Sequence, residues 1–409
     1  MPAAVRTLLE TSVPRWSWES GASSAENVSF VVMHDRSIDV ILRGQRGENF
    51  VKAVFRLLAG LGCGAGARRR RPHVLDIGAN TGYYSMLAAA HGCPVLAVDA
   101  QPGCARFFES ARAANEANSS RAGRQGHNFF AARRVRMLAG RPVSDRSDLI
   151  DMDEYACWVM HKIDARRPVA TAATAERGGR GKRHGLRPLR KGRIAARPLG
   201  TAELAAALPM PPAPNSARAG ERGDDLPGAD LLLAKVDAEG AELEVLRALR
   251  PLLPRLSNLV VEVAPGWCAR PLPPIYLPST FPLPPLHLRC RWPLFGRNAS
   301  REEGAAQIAG LLGGCASLRC GGGGPFAAAL TSTGRVFVQR DELRDYLLGF
   351  PSNGYWGQVC TSPASALHLP RLTICSRVPI HAQNDVWFAR NGALLRRASA
   401  LLPGVRRSP

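Results

Sequence analysis

Asp76, Gly78, Gly82, Asp99 and Asp237 are the residues of this chain whose types and spacing could do chemistry together. His73-Val74-Leu75-Asp76-Ile77-Gly78-Ala79-Asn80-Thr81-Gly82 is a short apolar run ending in an acid, followed at once by two glycines that bracket Ala79, Asn80 and Thr81. Glycines so placed let the backbone turn sharply and let a ligand lie close to the main chain. Unpaired N–H groups at the start of the next helix would face that ligand. Val95-Leu96-Ala97-Val98-Asp99 ends in a second acid about 20 residues further on, where a carboxylate accepts hydrogen bonds from the ribose hydroxyls of an adenosine-containing cofactor. Leu231-Leu232-Leu233-Ala234-Lys235-Val236-Asp237 repeats the acid-ended apolar run.

Positioning these residues takes strands alternating with helices. The pattern predicts a strand over 74–76, a helix over 83–90 stopped by Gly92, Cys93 and Pro94, and a strand over 95–99. A helix over 105–118, a third strand over 135–138, a strand ending at Asp237, a helix over 243–249 and a buried strand over 259–263 follow. This order predicts an α/β fold with an open parallel sheet and a ligand crevice at its carboxyl edge. Ahead of it, residues 1–25 read as a loose lead-in, 28–42 as two strands joined by a turn at His34–Ser37, and 51–58 as a helix. Ile194–Leu199 reads as an edge strand and Thr201–Leu208 as a helix capped by Thr201. In the tail, 336–338 reads as a strand, 341–348 as a helix, and 385–389 as a strand closing the far edge of the sheet. The main domain is placed at 26–395, with 396–409 as a tail.

Composition bounds the rest. With 409 residues, 45% of them hydrophobic, the chain can bury a large core, while 40 Gly and 32 Pro imply long irregular segments. The net charge of +21 raises a nucleic acid or another polyanion as partner. Much of that excess sits in Arg68–Arg71 and in a low-complexity basic insert at 165–192, which reads as disordered, as do Pro-rich loops at 209–227 and 271–293. The ten cysteines form no Cys-x-x-Cys pair and no close Cys/His cluster, so no metal site is expected and most read as buried thiols of a reducing compartment. No apolar run is long enough for a membrane span and the first 20 residues lack a secretory apolar core, so a cytoplasmic protein is expected, with organelle import left open.

Val74 to Ser85 and Lys235 to Glu242, taken with Val260–Val263, resemble the FkbM family of S-adenosylmethionine-dependent methyltransferases. The phrases carrying the resemblance are Val-Leu-Asp-Ile-Gly-Ala-Asn-Thr-Gly-Tyr-Tyr-Ser and Lys-Val-Asp-Ala-Glu-Gly-Ala-Glu. It covers residues 40–265 without the basic insert, and more weakly 378–390. It implies a Rossmann-like class I methyltransferase sheet with S-adenosylmethionine as cofactor and a hydroxyl on a sugar or other small molecule as acceptor. Carried over by position, Asp76, Gly78, Ala79, Asn80, Thr81 and Gly82 would line the methionine end and backbone face of the cofactor. Asp99 would hold the ribose, with Ser144 and Asp145 near the adenine. Asp237 would face the methyl group as candidate base, with Glu262 and Glu239 beside the substrate. The Arg-rich insert is a departure from that family's core pattern.

Two other classes compete. A methyltransferase acting on RNA or DNA would suit the charge, but base-amino methylases carry an Asn/Asp-Pro-Pro-aromatic motif where this chain has Asp237-Ala238-Glu239-Gly240. A dinucleotide-dependent oxidoreductase needs a Gly-x-Gly-x-x-Gly turn, which Gly78 to Gly82 does not supply.

Overall fold

The acid-ended apolar runs become the central strands of the protein in its computed structural model, which describes residues 8–16, 23–33, 38, 41–42, 48–63, 72–121, 135–142, 151–153, 157, 193–195, 198–208, 230–238, 242–263, 301–311, 325–332, 334–349, 356–361, 374–379 and 384–399. Strands β1 (His73–Ile77), β2 (Val95–Asp99), β3 (Val135–Ala139), β4 (Leu231–Val236) and β5 (Leu256–Val263) run parallel. With β6 (Ala328–Thr331), β7 (Val336–Phe337) and β8 (Asn384–Ala389) they form an eight-stranded mixed sheet in the order β7-β6-β8-β5-β4-β1-β2-β3. The stretch from β3 to β5 has the order of a doubly wound, Rossmann-like sheet. That order reverses between β1 and β4, the switch point at which sheets of this kind form a crevice beyond the carboxyl ends.

β8 runs antiparallel to β5 on one side and to β6 on the other. It therefore lies inside the sheet rather than closing its far edge as expected, and the two-residue β7 takes that edge. The cause is β6, four residues long and preceded by Gly321–Gly324, which offers too little periodicity to be read as a strand.

Both faces of the sheet are covered, which is why its strands are continuously apolar rather than alternating. Helices α1 (Glu48–Cys63), α2 (Tyr83–Ala90) and α3 (Pro102–Arg121) share one core with Val74, Leu233, Val260 and Trp387. On the other face α4 (Glu242–Leu249), with helices Thr201–Ala207, Arg301–Ala309 and Arg340–Gly349, packs on Ile77, Val236, Val261 and Phe388. All eight residues of α2 are buried, as a helix apolar on every side must be. Phe30 supplies part of its cover, meeting the Tyr83 ring edge-on at 5.5 Å.

Phe30 belongs to strand Ser23–Met33, which pairs antiparallel with Leu8–Trp16. The lead-in thus contains a strand, and the expected hairpin within 28–42 is corrected: its second half, at residues 38 and 41–42, is helical. Register and pairing across a turn leave little signal in a polar, Pro-containing stretch, so the partner strand is hidden in the sequence. Buried Asn115 of α3 fixes Ser23–Met33 to the core by accepting the Val31 N–H and donating to the Val31 carbonyl, each at 2.7 Å. Leaving either buried group unpaired would cost about 1–3 kcal/mol.

Further corrections are local. Gly200, not Thr201, precedes its helix as cap, and the Thr201 hydroxyl donates to the Ala248 carbonyl at 2.7 Å. The expected edge strand 194–199 divides into Arg193–Ala195, paired with Asp151–Asp153, and Pro198–Leu199, paired with Arg141–Pro142. Cys63 is bridged to Cys93 and Cys104 to Cys157, so these four cysteines are not the free thiols expected. Sequence separations of 30 and 53 hide such pairs from a search for short spacings. The segments at 165–192, 209–227 and 271–293 lie outside the described residues, as does Tyr155–Ile163 apart from Cys157.

Candidate functional site

Glycine, Asn and Asp build the turn after β1 from backbone geometry. Gly78 and Gly82 adopt φ of 76° and 92°, and Asn80 adopts φ of 51°, a left-handed conformation that Asn tolerates better than most side chains. The bare face of Gly78 lies against the end of β4: a Cβ there would stand 1.6 Å from the Asp237 carbonyl oxygen. The bare face of Gly82 lies on Phe108, 2.5 Å from where its Cβ would be.

Every N–H of this turn is engaged. Gly78 and Ala79 donate to the Val98 carbonyl at 2.8 and 3.2 Å, and Gly82 to the Ala79 carbonyl at 2.8 Å. Asn80 donates to Asp99 Oδ2 at 2.8 Å, and Thr81 to Asn80 Oδ1 at 2.7 Å. The free N–H groups expected to face a ligand are therefore not at residues 78–82. A turn without spare donors is no cradle for a pyrophosphate.

Asp76, fully buried, has two different oxygens. Oδ2 accepts the Ser85 hydroxyl at 2.6 Å, which ties the carboxylate to α2. Oδ1 is buried with no hydrogen-bond partner. Burial raises its pKa, against the Lys235 charge and the Ser85 hydroxyl, which favour the ionised form. A buried acceptor of this kind is met in folded proteins by an ordered water, an ion or a ligand donor.

Asp99 is held from both sides: Oδ1 accepts the Gln101 N–H and Oδ2 the Asn80 N–H, each at 2.8 Å. Burial pushes its pKa up to about 6 against those two bonds. Each oxygen keeps a further lone pair for a ligand hydroxyl.

Alternation along the strands then gathers charge on the α1/α2 face. Asp76, Lys235, Glu262 and Asp385 stand two residues from Val74, Leu233, Val260 and Trp387, which line that core. Lys235 lies opposite Asp76 in register, and Glu262 opposite Asp385. Lys235 Nζ pairs with Asp237 Oδ2 at 2.8 Å and sits 5.2 Å from the centre of the Tyr84 ring. The Tyr84 hydroxyl donates to Glu48 of α1. Burial works against the Lys235 charge, but Asp237, Asp76 and Glu48 outweigh it and raise the ammonium above its ordinary value. Burial likewise opposes ionisation of Asp237, yet the Lys235 charge and a hydrogen bond with Glu262 hold it below the usual carboxylate value. Glu48 is raised by burial, and Asp385 well raised by burial and by the charges of Glu48 and Asp237. Asp237 and Glu48 are the half-buried members of the set, the Asp237 side chain being 26% exposed, whereas Glu262 and Asp385 are buried at 7% and 6%.

Of the residues expected from sequence, Asp76, the 78–82 turn, Asp99, Asp237 and Glu262 come together at one edge. Ser144, Asp145 and Glu239 lie outside the described residues. Glu242, the first residue of α4, caps locally by accepting the Ala238 N–H at 3.0 Å. The sequence pattern does not single out Tyr84, Lys235 or Asp385, and offers Glu48, beside Gly47, either for cofactor contact or as a turn acid. Asp385 is the second residue of its strand, so its place at the crevice follows only once β8 is known to run antiparallel. Among the described residues no group of three or more His, Cys, Asp or Glu is arranged to hold a metal ion. Nor is any helix there long and apolar enough to cross a membrane.

No protein-family model matches the chain, and no curated protein matches it. Two solved structures do. A crystal structure of WbdD shares 13% identity at a TM-score of 0.27, over 87% of this chain and 41% of that one. A co-crystal structure of WbdD with the kinase inhibitor LY294002 shares 16% identity at a TM-score of 0.24, over 54% and 29%. The chain thus spans less than half the length of the WbdD chains it matches.

Proposed function

We propose that the protein is an S-adenosylmethionine-dependent methyltransferase acting on a hydroxyl of a sugar or other small molecule. The observation that carries the reading is the buried, unpartnered Asp76 Oδ1 at the switch point of the sheet, which would accept from the ammonium of a methionyl group. Asp99 would accept from the ribose hydroxyls. Ala79, Asn80 and Thr81 would form the wall between the two, with Ser144 and Asp145 toward the adenine. The occupied N–H groups of the turn speak against a dinucleotide, and the resemblance to FkbM methyltransferases supplies the cofactor's identity.

A bound sulfonium supplies a methyl group that is already electrophilic, so the residues need chiefly to align an acceptor oxygen with it. Asp237, ionised and open, would orient that hydroxyl and take its proton, with Glu262 and Glu239 beside the acceptor. The same edge weighs against RNA or DNA as acceptor. Glu48, Asp76, Asp237 and Asp385 act on the ammonium of Lys235, so its charge is already met by carboxylates and would not be free for a phosphate backbone.

Calorimetry with S-adenosylmethionine and with NAD tests the reading. S-adenosylmethionine is expected to bind the parent, at least tenfold more weakly Asp76→Asn, and NAD neither. Binding of NAD without S-adenosylmethionine would overturn the assignment.

A further inference from the structure

The two disulfides lie at opposite ends of the sheet. Cys63–Cys93 joins the end of α1 to the residues before β2, at the amino ends of the strands, where the Val74 N–H meets the Pro94 carbonyl. Cys104–Cys157 lies at the carboxyl ends. Its Cys104 is in the first turn of α3, and the Cys104 N–H donates to the Gln101 carbonyl at 3.0 Å. Gln101 in turn donates to Asp99 Oδ1. Its other sulfur, Cys157 Sγ, packs 3.1 Å from Oδ1 of Asn80, whose N–H donates to Asp99 Oδ2. Each end of the bridge therefore touches a residue holding one oxygen of Asp99. Both sulfurs belong to buried residues, at 0% and 2% exposure.

We propose that the Cys104–Cys157 bridge is a positioning element of the adenosine subsite, fixing Asn80 and Gln101 so that the Asp99 carboxylate presents its remaining lone pairs to the ribose hydroxyls. The inference rests on the methyltransferase reading. Without the bridge, Cys157 is no longer tied to the α3 start and its contact with Asn80, whose left-handed conformation depends on its surroundings, is released. Asp99 then keeps its acid and loses its orientation. An alanine pair shows this directly. Reduction shows it too: a dithiol gives two electrons and two protons to the S–S bond, leaving two thiols and the dithiol as its own disulfide.

The experiment compares Cys104→Ala/Cys157→Ala with Cys63→Ala/Cys93→Ala. Each is expected to lower Tm by several degrees. Only the first is expected to weaken S-adenosylhomocysteine binding, by about tenfold or more, and to lose the parent's preference for that ligand over its 2′-deoxy analogue. The second binds within about twofold of the parent. Equal affinity and an unchanged 2′-deoxy preference in the first variant, beside a lowered Tm, would reduce the bridge to a stabilising link. If that variant does not fold, Cys63→Ala/Cys93→Ala is titrated before and after dithiothreitol, with thiols counted by mass spectrometry, and unchanged affinity on reduction overturns the proposal. A parent that binds no S-adenosylhomocysteine removes the methyltransferase reading itself; a parent that binds, with an equally tight variant, removes this assignment alone.

Discussion

Lys235 and Asp237, two residues apart at the end of β4, form an ion pair of 2.8 Å inside a group of carboxylates. The pair is what allows the site to keep so many acids on one face. Lys235→Met removes the cation and leaves buried negative charge, for which a loss of about 3–5 kcal/mol at pH 7 is expected. Asp237, with a lowered pKa, contributes stability that is present above the ordinary aspartate value and is lost as pH falls through its own. Urea unfolding at pH 7 and at about pH 2.5, below the ordinary aspartate value, should therefore show the gap between parent and variant narrowing in acid. A gap under about 1 kcal/mol at both pH values would mean that Lys235 is not the neutralising group.

Asp99 gives the opposite sign. Its pKa rises from 3.8 unfolded to about 6 folded, so the folded state holds the proton longer. The stability linked to it is fully present below 3.8 and is lost as pH rises through about 6. The loss amounts to at most about 3 kcal/mol, since each tenfold difference in proton affinity between the folded and unfolded chain is worth about 1.4 kcal/mol. Asp99→Asn cannot titrate, so its stability relative to the parent should rise across that window. Parallel stability curves for the two proteins between pH 4 and 7 would disprove the effect.

Gly78 is constrained by a neighbour rather than by a ligand alone. Gly78→Ala places a Cβ 1.6 Å from the Asp237 carbonyl oxygen at a φ of 76°. Backbone cannot yield there without parting β1 from β4, so a loss of at least about 3 kcal/mol is expected, or failure to fold. Gly200→Ala, with nothing within 4 Å of the new Cβ, is the control and should leave Tm within a few degrees. If both variants melt with the parent, the close approach of β4 to the turn is wrong.

The parallel half of the sheet is legible in the sequence because burial on both faces writes its strands as plain apolar runs, and Asp76, Asp99, Asp237 and Glu262 fall at or beside their ends. Tyr83–Ala90 and Val95–Asp99 occur with the bounds expected. What is illegible depends on partners far away in sequence. Leu8–Trp16 is recognised only against Ser23–Met33, and Asp385 only against Glu262. Cys104 has meaning only beside Cys157. Gly78 reads correctly as a turn residue, but its cause, the passing Asp237 carbonyl, is tertiary. The reading of a reducing compartment follows from cysteines taken as thiols, and that ground is removed for four of the ten, since disulfides persist in oxidising compartments.

Asp385 faces Glu262 directly across the antiparallel β5–β8 pair, two acids where opposite or neutral partners would be favoured. Burial and the charges of Glu48 and Asp237 raise the Asp385 pKa well above the ordinary value, so its ionisation works against the folded state. By the same linkage, the stability its protonated form contributes is present in acid and lost as pH rises through the folded pKa. Asp385→Asn keeps the shape and removes the charge. The variant should match the parent at pH 4 and exceed it by about 1 kcal/mol or more at pH 8 in urea unfolding. Such a gain would mark Asp385 as an acid kept at the crevice at the expense of stability, the pattern expected of a site rather than of a core. A variant less stable than the parent at pH 8 would show instead that the carboxylate is paired and structural.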